Sequence, residues 1–529
     1  MAGAGRRDVT HIGLLHAFYP EEYVERDSLL KEVERKISRF HNRLVGGRKP
    51  GQFWVNGMLH RLAPRGEPFE PYFRRKLFLE KEGYRPDAEV RFFDHHLTHA
   101  VPAAFYCGYD ECAVIVMDGG GDLSVNHTSS VYRNCDLTCL SSSATPGTSS
   151  GYFYADITRL LGFTPMRHEG KVLGLAAFGD HSSLYGALRK ALRVHADGQR
   201  FDSDFAGLEQ ADEKRAAYVA QAIHGHSRED VAAAAQKVLE DAVLEIVRNF
   251  VQKTGLGRLA LNGGVFANVK LNQRIAALPG VESIFVFPGM SDSGNSVGCA
   301  LLILQSLRPH FLRDHVQRLD SVYWGPAFDD DAIRAELDSR EVDYALLVQD
   351  EIVERAAQAV NAGKVVGWFQ GGMEFGPRAL GNRSMLARPT DASINKWLNE
   401  RLNRTEFMPF APSVLAEFAD EVFENVAAGR HAAEFMTVTF DVRKHWRGRI
   451  PAVVHVDGTA RPQLVRSDVN PLYHRLIDRY RQISGIPLVL NTSFNVHEEP
   501  IVCSPKEAIQ SVIENRVDCL AVGNCWVEA

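Results

Sequence analysis

The sequence lacks three features, each of which would assign it to a broad class of protein. It has no apolar run close to the roughly twenty residues that a membrane-spanning helix needs, and the patch at residues 12–15 is too short for a signal-peptide core. It has no basic surplus: the formal net charge is −6, which argues against a general nucleic-acid-binding protein. Its eight cysteines include no Cys-x-x-Cys pair, so reduced cysteines are the simplest interpretation. We therefore expect a cytoplasmic protein without membrane or nucleic-acid partners.

The sequence does contain many apolar segments with strand or helix periodicity. Its 529 residues are enough for two or three folded units. The strongest helix is predicted at residues 228–253. Strands are predicted at residues 112–117, 131–139, 365–369 and 437–442. Alternating strands and helices of this kind indicate an α/β fold.

Two histidines, His95 and His99, stand four residues apart in the string DHHLTHA at residues 94–100. On a helix this spacing puts both imidazoles on one face, one turn apart, within reach of a single cation. Asp118 ends a predicted strand and is followed by three glycines, an arrangement in which a carboxylate can hold a metal while backbone N–H groups approach a phosphate. The two segments predict a site for a metal and a nucleotide. The alternative is a histidine pair without a ligand, because His-x-x-x-His is common and the Glu of zinc proteases is missing.

Three further segments combine glycine with a chemically active side chain. Asp292 lies in a glycine-rich turn between a predicted strand and a helix, where it is either a fourth metal ligand or a helix cap. Asn262, Gly263 and Gly264 also join a strand to a helix, which suits a nucleotide close to the backbone or simply a tight turn. Lys171 stands between glycines and can bind a phosphate, although the spacing is not that of a P-loop.

Two segments in the last third of the chain predict recognition of an anion. The string EFGPRALGNRS at residues 374–384 carries Arg378 and Arg383, whose fork-shaped donors suit an anion with several oxygens. The alternative for either arginine is a pair with an acidic surface group. The string NTSFN at residues 491–495 closes a strand with side chains that orient a phosphate or a carbamoyl-like group by hydrogen bonds, or that only cap a turn.

Taken together, these strings resemble the O-carbamoyltransferase family of nodulation-factor and antibiotic-tailoring enzymes. The matching strings occur in the family's order between residue 94 and about residue 510. They are DHHLTHA (94–100), VMDGGGD (116–122), GKVLGLAAFG (170–179), NGGVFAN (262–268), the Asp292 turn, EFGPRALGNRS (374–384), EFMPFAPS (406–413) and NTSFNVHEEPIV (491–502).

The resemblance implies an α/β fold in two domains. Residues 1–340 are expected to form an actin/hexokinase-type (ribonuclease H-like) ATPase domain, as in tRNA threonylcarbamoyl-transfer proteins, and residues 341–529 a YrdC-like α/β domain. The implied chemistry has two steps. Carbamoyl phosphate and Mg-ATP give carbamoyl-adenylate in the second domain, and an acceptor hydroxyl then takes the carbamoyl group at the metal site of the first. The implied metal is Fe(II), although the ligand types also suit manganese or magnesium.

The family's functional residues carry over position by position. The positions that match the metal ligands are His95, His99, Asp118 and Asp292. The positions assigned to the nucleotide and phosphate loops of the first domain are Gly119, Gly120, Lys171, Asn262, Gly263, Gly264 and Asn268. The positions that match the carbamoyl phosphate and ATP site of the second domain are Arg378, Arg383, Arg404, Ser493 and Asn495. Direct catalytic roles are expected for His95, Asp118, Arg378 and Arg404.

Two departures from the family pattern affect these expectations. Family members usually begin with a short strand and then a loop that contains a histidine. Here residues 12–20 are followed by a charged helix, and His16 is the candidate for the loop histidine and for the base of the acceptor. Before the string EFMPFAPS, Leu402 stands where a lysine is usual, so either Lys396 replaces that cation or the adenylate-forming pocket has changed.

The predicted function is ATP-dependent carbamoylation of a hydroxyl on a small natural product, as in antibiotic biosynthesis. One alternative is a tRNA-modifying carbamoyl or threonylcarbamoyl transferase, against which the acidic net charge argues. Another is a non-catalytic ATP-binding regulator, with which the two departures are compatible. Residues 46–71 and 427–439 are candidates for the acceptor pocket, and a homodimer is possible.

Overall fold

The structure is a computed structural model that describes residues 5–15, 23, 73–402, 410–496 and 499–529. The predictions made for His16, Arg404 and residues 46–71 lie outside these residues.

The strands of the described residues, in chain order, are β1 His11–Leu15, β2 Glu89–Phe93, β3 Glu111–Met117, β4 His127–Arg133, β5 Asp136–Ser143, β6 Arg193–Val194, β7 Phe201–Asp202, β8 Arg258–Asn262, β9 Ser283–Val286, β10 Ala345–Leu346, β11 Val366–Phe369, β12 Arg383–Ala387, β13 Ala411–Leu415, β14 Phe440–Asp441, β15 Thr459–Ala460, β16 Gln463–Val465, β17 Leu488–Ser493, β18 Cys519–Val522 and β19 Cys525–Glu528.

The α-helices of the same residues are α1 Arg75–Lys81, α2 His95–Tyr106, α3 Ser150–Leu160, α4 Glu169–Ala176, α5 Tyr185–Leu188, α6 Ala211–Ala222, α7 Arg228–Thr254, α8 Val269–Ala276, α9 Asn295–Leu307, α10 Phe311–His315, α11 Asp330–Ser339, α12 Gln349–Asn361, α13 Ser393–Arg401, α14 Ala419–Val422, α15 Arg430–Ala433, α16 Lys444–Arg447, α17 Pro471–Ser484 and α18 Pro505–Ile513. Within the described ranges, each helix is too short or too polar to cross a bilayer.

The N-terminal part, which we define as the elements up to α10, is built on a five-stranded sheet in the order β5-β4-β3-β8-β9. Strands β3, β4 and β5 form an antiparallel meander, whereas β8 and β9 continue the sheet parallel to β3. Strand β3 lies at the centre and is buried over six of its seven residues, as its unbroken apolar sequence predicts. This order and these directions are those of a ribonuclease H-like sheet, which confirms the predicted fold class for this part.

Helix α7 covers this sheet, and local sequence sets both of its ends. The Ser227 side chain accepts a hydrogen bond from the Asp230 N–H at the N-terminus. Gly255 ends the helix in a left-handed conformation, with φ of 71°. Between these caps, an alanine-rich face packs in the core. The helix predicted at residues 228–253 is therefore confirmed.

The C-terminal part, from α11 onward, is built on an eight-stranded mixed sheet in the order β10-β19-β18-β11-β12-β17-β13-β16. Helices α12, α17 and α18 pack on this sheet. The predicted strand at residues 365–369 is its strand β11, which is buried along its whole length. A second α/β unit thus follows the first, as predicted.

The two parts share an apolar interface and several polar contacts. Phe285 and Phe287, at the end of β9, pack with Leu380 and Phe435 of the C-terminal part. Asn272 Nδ2 of α8 donates a hydrogen bond to the Thr437 carbonyl at 2.7 Å. The two sheets are therefore held as one body, with a cavity between them.

The predicted division at residue 341 stays a prediction. Helix α11 precedes residue 341 but contacts the C-terminal sheet: the Asn524 amide donates to Asp330 Oδ2 at 2.6 Å, and Ile333 and Leu337 are buried in the core that contains β18. The segment at residues 316–329, between α10 and α11, is thus where the chain passes between the two parts.

Two predicted strands differ from the structure. Residues 131–139 form parts of β4 and β5, which meet at a hairpin turn where Asn134 and Cys135 have φ of 52° and 65°. The strand predicted at residues 437–442 is reduced to Phe440–Asp441. The first segment is mostly half-buried or exposed, and its pattern did not mark the turn within it. The second segment is mostly buried but pairs over only two residues, because burial alone does not require strand pairing.

Candidate metal centre and anion cavity

The first site residues lie at the start of helix α2. Asp94 caps this helix by accepting a hydrogen bond from the Leu97 N–H at 2.8 Å, and Asp122 accepts one from the His95 N–H at 2.7 Å. These two carboxylates satisfy two of the open N–H groups of the first turn, so the helix begins at the first histidine. His95 and His99 follow one another on its buried face, and both side chains are fully buried.

Two aspartates reach the same point from different loops. Asp118 follows the end of β3, and Asp292 follows β9. His99 Nε2 lies 3.1 Å from Asp118 Oδ2 and 3.4 Å from Asp292 Oδ1. His95 Nε2 lies 3.6 Å and 3.4 Å from the same two oxygens. All four ligand atoms lie within 4.8 Å of one another.

Glycines allow this close approach of the loops. A Cβ on Gly121 would lie 2.9 Å from the His95 ring, and a Cβ on Gly151 would lie 2.6 Å from the Gly119 nitrogen. A Cβ on Gly264 would lie 3.2 Å from Asp118 Oδ1. The glycines of the strings VMDGGGD and NGGVFAN thus have a packing function at the cluster in addition to any contact with a nucleotide.

The charges of the cluster are mutually stabilising. Burial lowers the pKa of His99, but Asp118 and Asp292 outweigh burial and raise the pKa to about 8. Burial opposes ionisation of Asp118, but the two histidines hold the pKa of its carboxyl well below the usual range. The neighbouring His96 is different, since burial lowers its pKa to about 3 and its Nε2 lies 3.0 Å from the Val125 carbonyl.

The four side chains fit a divalent transition metal. Neither ring nitrogen of His99 nor Oδ2 of Asp118 has a hydrogen-bond partner of acceptable geometry among the described residues, although all three atoms are buried. Buried polar atoms without such partners are rare, and a shared ion would satisfy them. Two imidazole nitrogens and two carboxylate oxygens suit iron, manganese or zinc, and this donor set does not choose among them.

The predicted phosphate loop is covered by an aromatic ring. A Cβ on Gly119 or Gly120 would lie 2.8 Å or 3.3 Å from the Tyr152 side chain. Tyr152 is 42% exposed and lies on α3, which begins at the Ser149 cap. The ring therefore packs against both glycines at distances that leave no room for a larger side chain there.

A separate cavity of about 520 Å³ opens between the two parts. Four of the predicted ligand-binding residues line it: Lys171 on α4, Arg378, Ser493 at the end of β17, and Asn495. Ser493 Oγ donates to Asn495 Oδ1 at 2.7 Å, and the Asn495 amide donates to the Glu499 carbonyl at 2.6 Å. Residues that are up to 324 positions apart in the chain thus line one cavity.

The loop at residues 262–268 joins the two sites. Asn262 Nδ2 donates to the His99 carbonyl at 2.6 Å, and Gly263 has φ of 99°, close to the Met117 backbone. At the other end of the loop, Ala267 lines the cavity. Asn268 caps helix α8 by accepting a hydrogen bond at its Oδ1, and its amide donates to Gln236 of α7. The Asn268 side chain therefore connects the loop to these two helices.

The cavity carries a surplus of positive charge. The basic residues among its lining are Arg167, Lys171, Lys270, Arg378 and Arg461, and the acidic ones are Glu240 and Asp457. Such a concentration of cations attracts anions even though the whole chain is acidic. The sequence analysis did not identify Lys270, Arg461 or His455 as site residues. The string HVDGTARP at residues 455–462 could have indicated the last two, because it combines glycine with charged and imidazole side chains as the other strings do.

Arg383 is not part of the cavity, which corrects its predicted role as an anion ligand. Its guanidinium is fully buried and donates to the carbonyls of Gln370, Pro326, Gly371 and Asn382 at 2.7 to 3.2 Å. It also stacks on Phe369, with 3.6 Å from the guanidinium carbon to the ring centroid. Burial lowers its pKa to about 10. The arginine thus holds together the backbone around its loop.

Replacing Arg383 with methionine is expected to destabilise the fold. Four carbonyl groups would lose a charged donor inside the protein, so we expect a loss of about 3 kcal/mol or more in the free energy of unfolding. Urea denaturation measures this loss. Arg388→Met, at a half-buried arginine that pairs with Asp391, is the control and should change stability by less than about 0.5 kcal/mol. Equal stability of Arg383→Met and the parent would contradict the structural role.

The suggested replacement of the missing lysine is also not supported. Lys396 is 83% exposed, lies 3.8 Å from Glu400 on its own helix and does not line the cavity. Leu402 is fully buried in the core. The leucine therefore has a packing role, and Lys171 and Arg461 supply cations at the cavity in addition to Arg378.

Comparisons with known proteins show the family to which the chain belongs. The family model described as "Carbamoyltransferase N-terminus" matches residues 52–301, and the model described as "Carbamoyltransferase C-terminus" matches residues 357–529. Uncharacterized protein MJ1058 of Methanocaldococcus jannaschii is 34% identical over 84% of this chain and 74% of its own length. Nodulation protein NolNO of Sinorhizobium fredii is 35% identical over 86% of this chain and 66% of its own. The 3'-hydroxymethylcephem-O-carbamoyltransferase of Streptomyces clavuligerus is 28% identical over 68% and 65%. The chain therefore belongs to the carbamoyltransferase family and is an enzyme that transfers carbamoyl groups.

Proposed function

We propose that this protein is an ATP-dependent O-carbamoyltransferase that uses carbamoyl phosphate, through carbamoyl-adenylate, to modify a hydroxyl of a small molecule. The observation that carries the proposal is the convergence of His95, His99, Asp118 and Asp292 beside a loop that leads to a cationic cavity. The part up to about residue 340 would carry out the transfer, and the following part would form the adenylate.

In the first step, carbamoyl phosphate, ATP and water would give carbamoyl-adenylate, phosphate and pyrophosphate, and the cavity supports this step through its charges. Lys171, Arg378 and Arg461 would offset the negative charge that builds up as pyrophosphate leaves ATP. Ser493 and Asn495 would orient the carbamoyl donor by hydrogen bonds, because hydroxyl and amide groups both donate and accept. About 520 Å³ lies in the range typical of sites for ligands of nucleotide size.

The cluster supports the second step. His95, His99, Asp118 and Asp292 would hold the metal, which supplies Lewis-acid stabilisation of the charge on the departing AMP. Asp122 fixes the helix start under His95, and the Asn262 amide fixes the carbonyl of His99. The fold thus places both imidazoles before any ligand arrives, which reduces the cost of ordering the site. Fe(II) remains the metal implied by the resemblance.

The experiment that tests this function measures both steps in one preparation. The purified protein is expected to release pyrophosphate from ATP only when carbamoyl phosphate is present. Mass spectrometry over a panel of hydroxylated small molecules would then detect a product that has gained the elements of HNCO. Binding of ATP without carbamoyl phosphate-dependent pyrophosphate release would favour a non-catalytic regulator, and carbamoylation of tRNA alone would favour the nucleic-acid alternative.

A further inference from the structure

Three side chains form a link across the wall of the cavity. Lys270, on α8 of the N-terminal part, places Nζ 2.8 Å from Asp457 Oδ2 of the C-terminal part. The other carboxylate oxygen of Asp457 lies 3.3 Å from His455 Nδ1. All three residues line the cavity, and Asp457 is therefore shared between a lysine of one part and a histidine of the other.

Asp457 is ionised in this link. Burial raises the pKa of its carboxyl, but His455, Lys270 and Thr459 together hold the pKa far below the usual range. An ionised carboxylate accepts hydrogen bonds and donates none, so Nδ1 of His455 carries the proton of their contact. This leaves Nε2 as the imidazole nitrogen available for another partner.

His455 Nε2 has no such partner among the described residues. The side chain is 9% exposed and lines the cavity, and Nε2 is buried without a hydrogen bond. A buried ring nitrogen without a partner is costly unless a ligand or water completes it. Phe178 of the N-terminal part meets the ring edge-on, with 6.0 Å between centroids, and so helps to hold it.

We propose that His455 contacts a ligand in the cavity. Asp457 positions the His455 ring, and Lys270, from the other part of the chain, positions Asp457. The group that it meets is a phosphorylated substrate, because Arg167, Lys171, Arg378 and Arg461 line the same cavity, whereas Lys270 is paired with Asp457. This inference rests on the proposed function and adds a residue pair from outside the strings that carried the resemblance. His455 would contact the ligand directly, whereas Asp457 and Lys270 would act by positioning His455.

A general role in holding the two parts together is the competing explanation, and α8 offers a matched control for it. Gln273, one helical turn after Lys270, donates to Asp441 Oδ2 at 2.9 Å and accepts from Thr439 Oγ1 at 2.9 Å. It is thus a polar contact between the same two parts, but it does not line the cavity. Gln273→Met removes an interface contact of similar kind without altering the link.

The test compares KM values for ATP and for carbamoyl phosphate in carbamoyl phosphate-dependent pyrophosphate release. His455→Leu is expected to raise one of the two by about tenfold or more, which identifies the substrate that the histidine meets. Lys270→Met and Asp457→Asn are expected to raise the same KM by about threefold to tenfold. In the double variant His455→Leu/Lys270→Met, the KM should equal that of His455→Leu alone, because residues that act through one another are not additive.

Four results would overturn the inference. They are additive effects in the double variant, a change of less than twofold in both KM values for His455→Leu, an effect of Gln273→Met equal to that of Lys270→Met, and a parent that releases no pyrophosphate. The last result refutes the proposed function as well, whereas the other three leave it intact. Thermal unfolding of each variant serves to match the folded fractions before KM values are compared, and His455→Gln is used if the leucine variant does not fold.

Discussion

Replacing His95 with alanine is expected to lower acceptor carbamoylation by about a thousandfold while pyrophosphate release stays within twofold of the parent. The variant removes one of two buried imidazoles from the four-residue cluster, and the loss of one group that stabilises developing charge costs two to three orders of magnitude in rate. The cavity does not include His95 and should still form the adenylate. Pyrophosphate release and product formation are measured in the same reaction.

The neighbouring histidine provides the control for this variant. His96→Asn removes an equally buried imidazole whose nitrogens face the Val125 carbonyl and Thr128, outside the cluster. It should retain both steps in the fraction that folds, and it should bind the same amount of metal by elemental analysis. His95→Ala should bind less. Carbamoylation at the parent rate by His95→Ala would show that the cluster is not the transfer site.

Replacing Arg378 with methionine is expected to stop the first step and spare the second. The guanidinium lines the cavity, where it would compensate the charge of departing pyrophosphate, so we expect a fall of about a hundredfold or more in pyrophosphate release. Supplied carbamoyl-adenylate should still be transferred to the acceptor at close to the parent rate, because the metal cluster is unchanged. Rapid-quench sampling of the supplied intermediate measures this second rate.

Arg388→Met is again the matched variant, since it removes an arginine of the same stretch of chain that lies outside the cavity and pairs with Asp391. Both steps should be unaffected in it. An equal loss of both steps in Arg378→Met would contradict the division of the chemistry between cavity and cluster, even if the overall reaction is confirmed.

The α/β class and the main elements could be predicted because they depend on local pattern. The apolar run of β3 and the alanine-rich face of α7 specify a buried strand and a buried helix wherever they pack. The hairpin within residues 131–139 could not be predicted in the same way. Its turn at Asn134 and Cys135 has no glycine or proline to mark it, although both residues have positive φ.

Some site residues could also be predicted from local spacing, whereas the roles of others depend on the tertiary structure. His95 and His99 are one helical turn apart, so their common face follows from spacing alone. Arg378 and Arg383 looked equivalent as arginines among glycines, yet one lines the cavity and the other bonds four carbonyls in the core. Nothing in the local string separates these outcomes, because they depend on what the rest of the fold places around each guanidinium.

Spacing, periodicity and order of motifs were sufficient to assign the fold class, the candidate metal ligands and the resemblance to carbamoyltransferases, since each is a property of short segments read in order. The convergence of Asp118 and Asp292 on the histidines, the cavity between the two sheets and the link from Lys270 through Asp457 to His455 were decided by the tertiary structure. Apart from the Asp457–His455 pair, these contacts join residues that are far apart in the chain. Their distances are therefore set by how the sheets and helices pack against one another.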